Sequence, residues 1–457
     1  MRLYSSNVED KIISKKILAM ILPITLEGVL QMTTSVISMA MVGRISSMAV
    51  SALGISSNIF NIIWAIFKGI ATGVSVFVAQ AHGANNYEKI RKISVQTLLF
   101  SFMLVMVLQQ LVFWNAEKIL NIFDPSEELL FNATIYLKIT SWGLPFITIV
   151  LIVAGVFQGM GNANTPMKVA IIMNVVNIIF SYLFIFGELG FSPMGLKGAA
   201  YALFIAQFVS AVIGFKLLND KLNMVDLGGK HTNKIGFDEI IPVYKVGLPV
   251  SFERILWQGA SIFLTKAILT YGETAYAAYQ LGLQAEGISY MPAGGFAVAA
   301  TTFIGYAIGA KDMEMGKKYY KKLTNWTIVL TIFTGGLLTF FPGAIMRVLT
   351  NDSDIIEIGA RYLFVMGLVQ MPQNVKGVIE GALRGAGYTK APTVIAMIGL
   401  WCLRVPLSLF GAYVLNTSIT FIWIVFGLDL VFRFLCDLVL FKRKDVLNNT
   451  RVLIGDE

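Results

Sequence analysis

Two glutamates, Glu27 and Glu253, lie inside long apolar stretches of the sequence. Glu27 belongs to a run from Ile17 to Val42 and would lie about 15 Å along a helix, near the middle of a hydrocarbon layer about 30 Å thick. A carboxylate at that depth costs at least about 2.5–3.5 kcal/mol. A buried carboxyl holds a proton readily, and once it reaches water it ionises and can bind a cation. We therefore predict that a coupling ion and a cationic substrate compete for these two residues.

Further polar side chains on other apolar segments could complete such sites. Gln31 follows Glu27 by one helical turn and shares its face. Pro23 and Pro249 each precede a glutamate by four residues and each removes a helical hydrogen bond, so a kink is predicted one turn before each acid. The other candidates for ion or substrate binding are Asn174, Asn177, Gln284, Glu286, Gln373 and Asn374. Each of these six could instead form hydrogen bonds between helices.

The composition is that of a chain embedded in a lipid bilayer. Hydrophobic residues make up 56% and charged residues only 14%, whereas soluble domains carry about 25% charged residues. The first apolar run is too long for a signal peptide and is interpreted as the first span. The net charge of +9 comes from basic residues in short loops between spans. That distribution is a topology signal, so no nucleic-acid partner is predicted.

Apolar runs that are long enough to cross a membrane predict twelve transmembrane helices. The runs are 17–42, 53–82, 93–114, 132–158, 166–187, 195–218, 241–270, 279–308, 324–349, 357–383, 391–414 and 417–441. Lysine and arginine concentrate in the connecting segments on the side of the N-terminus. The segments on the opposite side hold only Arg44, Lys118, Lys197 and Arg347. This bias places both termini in the cytoplasm.

The sequence contains an internal duplication. A shift of 226 positions places LPITLE (22–27) on LPVSFE (248–253) and GVFQGMG (155–161) on GALRGAG (381–387). Each copy holds an even number of spans, so the copies enter the membrane from the same side and form parallel repeats, an arrangement typical of secondary transporters. The predicted fold is an all-α polytopic membrane protein with two six-helix lobes, 1–218 and 241–457. A cytoplasmic linker, 219–240, joins them, and the second lobe ends in a short cytoplasmic tail.

The order and spacing of these motifs resemble the multidrug and toxic compound extrusion (MATE) family over essentially the whole chain. The motifs are LPITLEGVLQ, VGRISSMAVSALG, GIATGVSVFVAQAHGANNYEKIRK and GVFQGMGNANTP, with GLPVSFE and GALRGAGYTKAP in the second half. The resemblance implies a two-lobed exporter of bulky, often cationic organic compounds that is driven by sodium ions or protons. Glu253 matches an acidic position of one group of members. Ser38 stands where many members carry an aspartate, and Gln373 and Asn374 stand where another group carries a carboxylate.

The sequence shows no motif for a metal, a nucleophile or a cofactor, which argues against an enzyme. The predicted function is a monomeric antiporter of the cell membrane that moves small organic substrates by alternating access and needs no cofactor. A flippase for lipid-linked saccharides is an alternative with a related architecture, and its central cavity would be cationic. A membrane protein without transport activity is a further alternative.

Overall fold

The computed structural model describes residues 2–224, 238–448 and 452–454, which form helices and turns without a β-strand. The fold is all-α, as predicted. The helices are α1 (Arg2–Gly43), α2 (Ser47–Gly83), α3 (Tyr87–Leu120), α4 (Glu127–Ser141), α5 (Leu144–Gly159), α6 (Asn164–Phe186), α7 (Leu196–Leu222), α8 (Ile240–Leu269), α9 (Glu273–Gly309), α10 (Met313–Phe340), α11 (Pro342–Leu349), α12 (Ser353–Gly385), α13 (Lys390–Ile398), α14 (Val405–Tyr413) and α15 (Ile419–Arg443). A 3₁₀ turn (Asn121–Phe123) follows α3, and a π-helical segment (Gly399–Arg404) joins α13 to α14.

All twelve predicted spans coincide with helices of the structure. Among the described residues, nine helices are long and apolar enough to cross a membrane, or ten if the bent pair α4 and α5 counts as one span. The long helices α8 and α15 are not among these nine. Both carry ionisable residues within their apolar sequence, such as Glu253 in α8 and Arg433 in α15. The predicted linker 219–240 lies largely outside the described residues.

Three of the predicted spans are interrupted, and a proline lies beside each interruption. The run 132–158 is two helices, α4 and α5, bent by 49°, with Pro145 in the first turn of α5. Pro342 likewise begins α11, and Pro406 follows the π-helical segment at the start of α14. Proline cannot donate the hydrogen bond that continues a helix. Pro23 and Pro249, by contrast, lie within α1 and α8 as unbroken helices, so the kinks at these positions stay a prediction.

The chain forms two compact units, and each is built from segments that are not contiguous in the sequence. The C unit contains Met1–Thr25, Ala79–Asn85 and Phe252–Glu457, and the N unit contains Leu26–Val78 and Asn86–Ser251. Within the C unit, α12 packs on α9, α10 and α15. Among the largest fully buried side chains of its core are Tyr362 and Trp423. The predicted lobe boundaries at 218 and 241 stay a prediction.

The duplication is visible in the hydrogen bonds of equivalent turns. After α5, Gly161 has a φ of 75°, and after α12, Gly387 has a φ of 82°. Both glycines therefore adopt the left-handed conformation that residues with a Cβ avoid. The Gly161 amide donates to the carbonyl of Gln158, and the Gly387 amide donates to the carbonyl of Arg384. The two donors and the two acceptors are each 226 positions apart, so the repeat extends to the backbone conformation.

Glycines four residues apart, Gly155 and Gly159 in α5 and Gly377 and Gly381 in α12, form GxxxG pairs. Such small residues let two helices approach closely. In the N unit, a Cβ built on Gly155 of α5 would lie 2.5 Å from the carbonyl oxygen of Ala71 in α2. In the C unit, Gly381 of α12 faces Ala297 of α9 in the same way. Ala297 is the repeat equivalent of Ala71, so the same close helix contact is built in both units.

We expect Gly155→Ala to destabilise the protein by about 1–3 kcal/mol, because the new methyl group would force two backbones apart. Gly54→Ala is the matched control, since a Cβ at Gly54 meets no atom within 4 Å. Both changes remove a helical glycine, so their effects on helix propensity are similar. Thermal unfolding of the purified protein in detergent measures both variants. Equal melting temperatures for the two variants would contradict the close contact.

Candidate functional site

A cavity of about 410 Å³ lies within the C unit, and its lining combines charge with aromatic surface. The charged lining residues are Glu253, Glu286, Lys376, Arg404 and Arg433, and the aromatic ones are Trp257, Tyr279, Tyr290, Tyr362 and Phe426. They come from α8, α9, α12, α15 and the π-helical segment. Cavities of this size accept drug-sized molecules, and aromatic faces attract organic cations.

Glu286 is a buried carboxyl in this lining, and its side chain is held by two neutral donors. Only 4% of the residue is exposed. The Tyr362 hydroxyl donates to its Oε2 over 2.6 Å, and the Gln370 amide donates to its Oε1 over 3.0 Å. Neutral donors fix the orientation of a carboxylate without cancelling its charge. These two hydrogen bonds fix the Glu286 carboxyl at the cavity wall.

Two arginines in the lining share one fully buried aspartate, Asp429 of α15. Arg404 Nε lies 2.7 Å from Asp429 Oδ2, and Arg433 Nε donates to Asp429 Oδ1 over 2.7 Å. The Arg404 guanidinium also lies 4.6 Å from the centre of the Phe426 ring. Arg404 ends the π-helical segment, and such segments often mark functional sites. The shared carboxylate holds both guanidinium groups at the cavity wall.

Glu253 belongs to a chain of ion pairs that reaches the lining of the same cavity. The Arg384 guanidinium lies 3.3 Å from Glu253 and 3.5 Å from Glu380, and Lys376 lies 2.6 Å from Glu380. Arg254, the next residue of α8, also interacts electrostatically with Glu253. Arg384 lies in the last turn of α12, and its partly buried side chain contacts both carboxylates. Glu253 is thus a paired carboxylate.

The N unit contains a second cavity, of about 320 Å³, with a neutral polar lining. Gln31, Asn174 and Asn177 all line it, and the Asn177 amide donates to Ser38 over 3.4 Å. Glu27 lines an adjacent cavity of about 50 Å³ together with Lys68. One oxygen of the Glu27 carboxyl is buried without a hydrogen bond among the described residues, and Glu27 interacts electrostatically with Lys68.

The two larger cavities occupy equivalent places in the duplicated sequence, yet their chemistry differs. Tyr136 lines the N cavity and its equivalent Tyr362 lines the C cavity. Phe60 of the N cavity takes the position of Glu286, and Gln207 takes the position of Arg433. The copies have therefore kept one cavity architecture and placed the charged groups in the C unit.

The structure brings most of the predicted residues into cavities, with two exceptions. Gln373 lines the C cavity and accepts a hydrogen bond from Gln370 over 3.4 Å. Gln284 is exposed and outside the cavity lining, because residues two apart on a helix point in different directions. Asn374 is buried and donates to Ser289 and Thr331 over 3.0 and 3.1 Å. These hydrogen bonds join α12 to α9 and α10, so Asn374 forms the bonds between helices that the sequence analysis gave as the alternative to ligand binding.

Several charged residues of the site were not singled out from the sequence. They are Lys68, Arg404, Asp429, Arg433 and Asp437. A signal was present in the last span, where Asp429, Arg433 and Asp437 recur every four residues and so share one helix face. Charged residues within a span usually face the protein interior, and this spacing indicates a polar stripe.

Apolar helices with an internal duplication and equivalent cavities are typical of membrane transporters. A family model described as MatE matches residues 23–183 and 249–410. The chain belongs to the MatE family, which is a family of transporters.

Relatives and solved structures agree with this assignment. The chain is 28% identical over 447 residues to the "Probable multidrug resistance protein NorM" of Thermotoga maritima, covering 96% of each chain. It is 25% identical over 411 residues to the "Probable multidrug resistance protein YoeA" of Bacillus subtilis, covering 88% of each. Its fold is similar to an outward-facing multidrug resistance MATE family transporter of the MOP superfamily, with a TM-score of 0.85, 19% identity and coverage of 96% and 97%. A MOP superfamily transporter from Pyrococcus furiosus gives a TM-score of 0.86 at 18% identity, with coverage of 96% and 97%.

Proposed function

We propose that this protein exports organic cations by secondary active transport and that the C cavity binds the substrate. The observation that carries the proposal is Glu286, a buried carboxyl held by Tyr362 and Gln370 in a cavity with aromatic walls. A flat cation would stack on the aromatic faces and neutralise this carboxylate. The names of the relatives, which are multidrug resistance proteins, support export of drug-like compounds.

Inward movement of sodium ions or protons drives the export in this proposal. A coupling ion and the substrate compete for carboxyl groups, so binding of one releases the other. Glu253 in the C unit and Glu27 in the N unit are further competing carboxyls, although both lie near a basic residue. The two lobes expose the site alternately to each side of the membrane.

The protein acts as a monomer in the bacterial cell membrane, with both termini in the cytoplasm. The excess of lysine and arginine on the side of the N-terminus supports this orientation. The exchanged substances are small organic molecules on one side and a monovalent cation on the other, and no cofactor takes part.

The flippase alternative keeps one supporting observation. Lys376, Arg404 and Arg433 outnumber the two acids in the lining of the C cavity, and a cationic wall suits an anionic headgroup. Each of these bases, however, contacts a carboxylate: Lys376 contacts Glu380, and both arginines contact Asp429. The positive charge of the wall is therefore largely compensated, which favours the cation exporter.

Transport into liposomes tests the proposal. We expect ethidium flux through the full-length protein to be accelerated by an imposed sodium or pH gradient, because exchange couples the two movements. Protein-free liposomes under the same gradients give the background. If neither gradient raises the flux above that background, while an anionic lipid-linked saccharide is moved, the flippase is the correct function.

A further inference from the structure

Gln80 is a fully buried glutamine near the end of α2, and both ends of its carboxamide have partners. The residue has 0% exposure. Its Nε2 donates to the carbonyl of Gly385 in α12 over 3.0 Å, and its Oε1 accepts a hydrogen bond from the backbone amide of Leu453 over 2.8 Å. Leu453 lies in the C-terminal residues 452–454, the tail segment. One buried side chain therefore joins the ends of α2 and α12 to the tail segment.

The tail segment also packs against the helices through its side chains. A Cβ built on Gly387, in the turn after α12, would lie 2.9 Å from the nearest side-chain carbon of Leu453, so Leu453 covers that glycine. Val452 packs against an apolar cluster that includes Ile308 of α9, and Ile454 is 8% exposed. The tail segment is thus seated where α2, α9 and α12 end.

The ends of α2 and α9 cross closely at the same place. A Cβ on Gly83 of α2 would overlap the carbonyl oxygen of Tyr306 in α9, and a Cβ on Gly309 of α9 would overlap the carbonyl oxygen of Gln80. Gly83 and Gly309 are repeat equivalents, and so are Gln80 and Tyr306. The crossing is therefore symmetric, and because Ala79–Asn85 belongs to the C unit, it lies within that unit.

The contact with the tail segment, by contrast, is not symmetric. Tyr306 stands at the repeat position of Gln80, and Gly161 stands at that of Gly387. A Cβ on Gly161 meets no atom of the described residues within 4 Å, whereas Gly387 is covered by Leu453. The crossing itself does not require an amide, and a buried amide oxygen without a partner is costly. The choice of glutamine at position 80 is explained by its two partners, one of which is the tail segment.

The attachment of the tail segment is small enough to be reversible. Among the described residues, one hydrogen bond joins the tail segment to the helices. The side chains of Val452 and Leu453 are only half-buried. Contacts of this size open locally without unfolding of the whole protein. In the proposed alternating access, the helix ends on each side of the membrane separate in turn, so the tail segment lies where such a separation takes place.

We propose that the tail segment is a strap that fastens the end of α2 to α9 and α12 and has to detach before these helix ends separate. While it is attached, the Gln80 oxygen is satisfied and the crossing is closed. When it detaches, the oxygen needs water, which reaches it only as the helix ends part. The strap therefore shifts the conformational equilibrium toward the closed crossing. This inference goes beyond the proposed function, because it holds for any substrate or coupling ion.

Cysteine labelling of the full-length protein in detergent tests the strap. In a background with Cys402→Ser and Cys436→Ser, Ala81→Cys places a thiol in the crossing, where Ala81 has 0% exposure. Adding Leu453→Asp should raise the rate of labelling by a water-soluble maleimide about tenfold or more, because a carboxylate weakens the apolar seat and the crossing opens more often. Asn448→Asp is the matched control, since Asn448 is exposed, and should label like the parent. Equal rates in the two aspartate variants would overturn the proposal.

A second thiol distinguishes a strap from a general support of the fold. Ala260→Cys lies in the core of the C unit with 0% exposure, and it should label slowly with and without Leu453→Asp. Faster labelling of both thiols would refute the strap, because the tail segment would then stabilise the whole unit. A chain that ends at Asn448 should label at Ala81→Cys as fast as Leu453→Asp does, and a rate equal to that of the parent would also overturn the proposal. All rates are measured without substrate or gradient, so a failure of cation export would leave this result unchanged.

Discussion

Replacing Glu286 by glutamine is expected to abolish cation transport while leaving the protein folded. The substitution keeps the shape of the side chain and removes the negative charge at the wall of the C cavity. Losing one partner of a buried charge pair typically costs about 2 kcal/mol or more, which corresponds to roughly thirtyfold weaker binding. Fluorescence titration with ethidium measures the affinity, and liposome flux measures the transport.

Glu273→Gln provides the matched control for this change. Glu273 begins the same helix, α9, and is exposed, so the chemical change is the same without the cavity. We expect affinity and flux close to those of the parent. An affinity of Glu286→Gln within about twofold of the parent would show that the cation binds elsewhere.

Replacing Asp429 by asparagine is expected to cause the largest loss of stability. Asp429 is fully buried and holds Arg404 and Arg433, so the variant leaves two guanidinium groups without their carboxylate. Removing one partner of a buried ion pair costs about 3–5 kcal/mol. The melting temperature of the purified protein in detergent should therefore fall steeply.

Glu357→Gln removes one partner of an exposed ion pair with Arg361, whose side chains are 65% and 55% exposed. Such surface pairs contribute less than about 1 kcal/mol, so the melting temperature should hardly change. Comparable losses in the two variants would mean that Asp429 does not stabilise the arginines. The positions of Arg404 and Arg433 at the cavity wall would then depend on contacts other than those with Asp429.

The architecture could be predicted from the sequence, because membrane spans appear as runs of apolar residues and repeats appear as matching motifs at a fixed offset. The runs of apolar residues predicted the twelve spans, and the fixed offset of 226 predicted two similar halves. The structure shows equivalent turns and glycine contacts in both. The interruption of three spans was not predicted. Their prolines, Pro145, Pro342 and Pro406, were visible in the sequence, but proline also occurs inside unbroken helices such as α1 and α8.

The pairing of the charges could not be predicted, because it depends on contacts between distant parts of the chain. Glu253 and Arg384 are 131 positions apart, and nothing local to either residue identifies the other. Glu286 was one polar candidate among nine, and only the cavity distinguishes it from the exposed Gln284. The proposed substrate-binding carboxyl is therefore Glu286 and not the repeated pair Glu27 and Glu253. The first repeat lacks this acid, because Phe60 stands at the equivalent position.

Locating a bound cation tests the central claim most directly. Tetraphenylarsonium is an aromatic cation whose arsenic atom gives an anomalous diffraction signal in crystals of the complex. We predict one arsenic peak in the C cavity, among Glu286, Tyr279 and Tyr290. A peak in the N cavity, beside Asn174 and Gln207, with none near Glu286, would contradict the account.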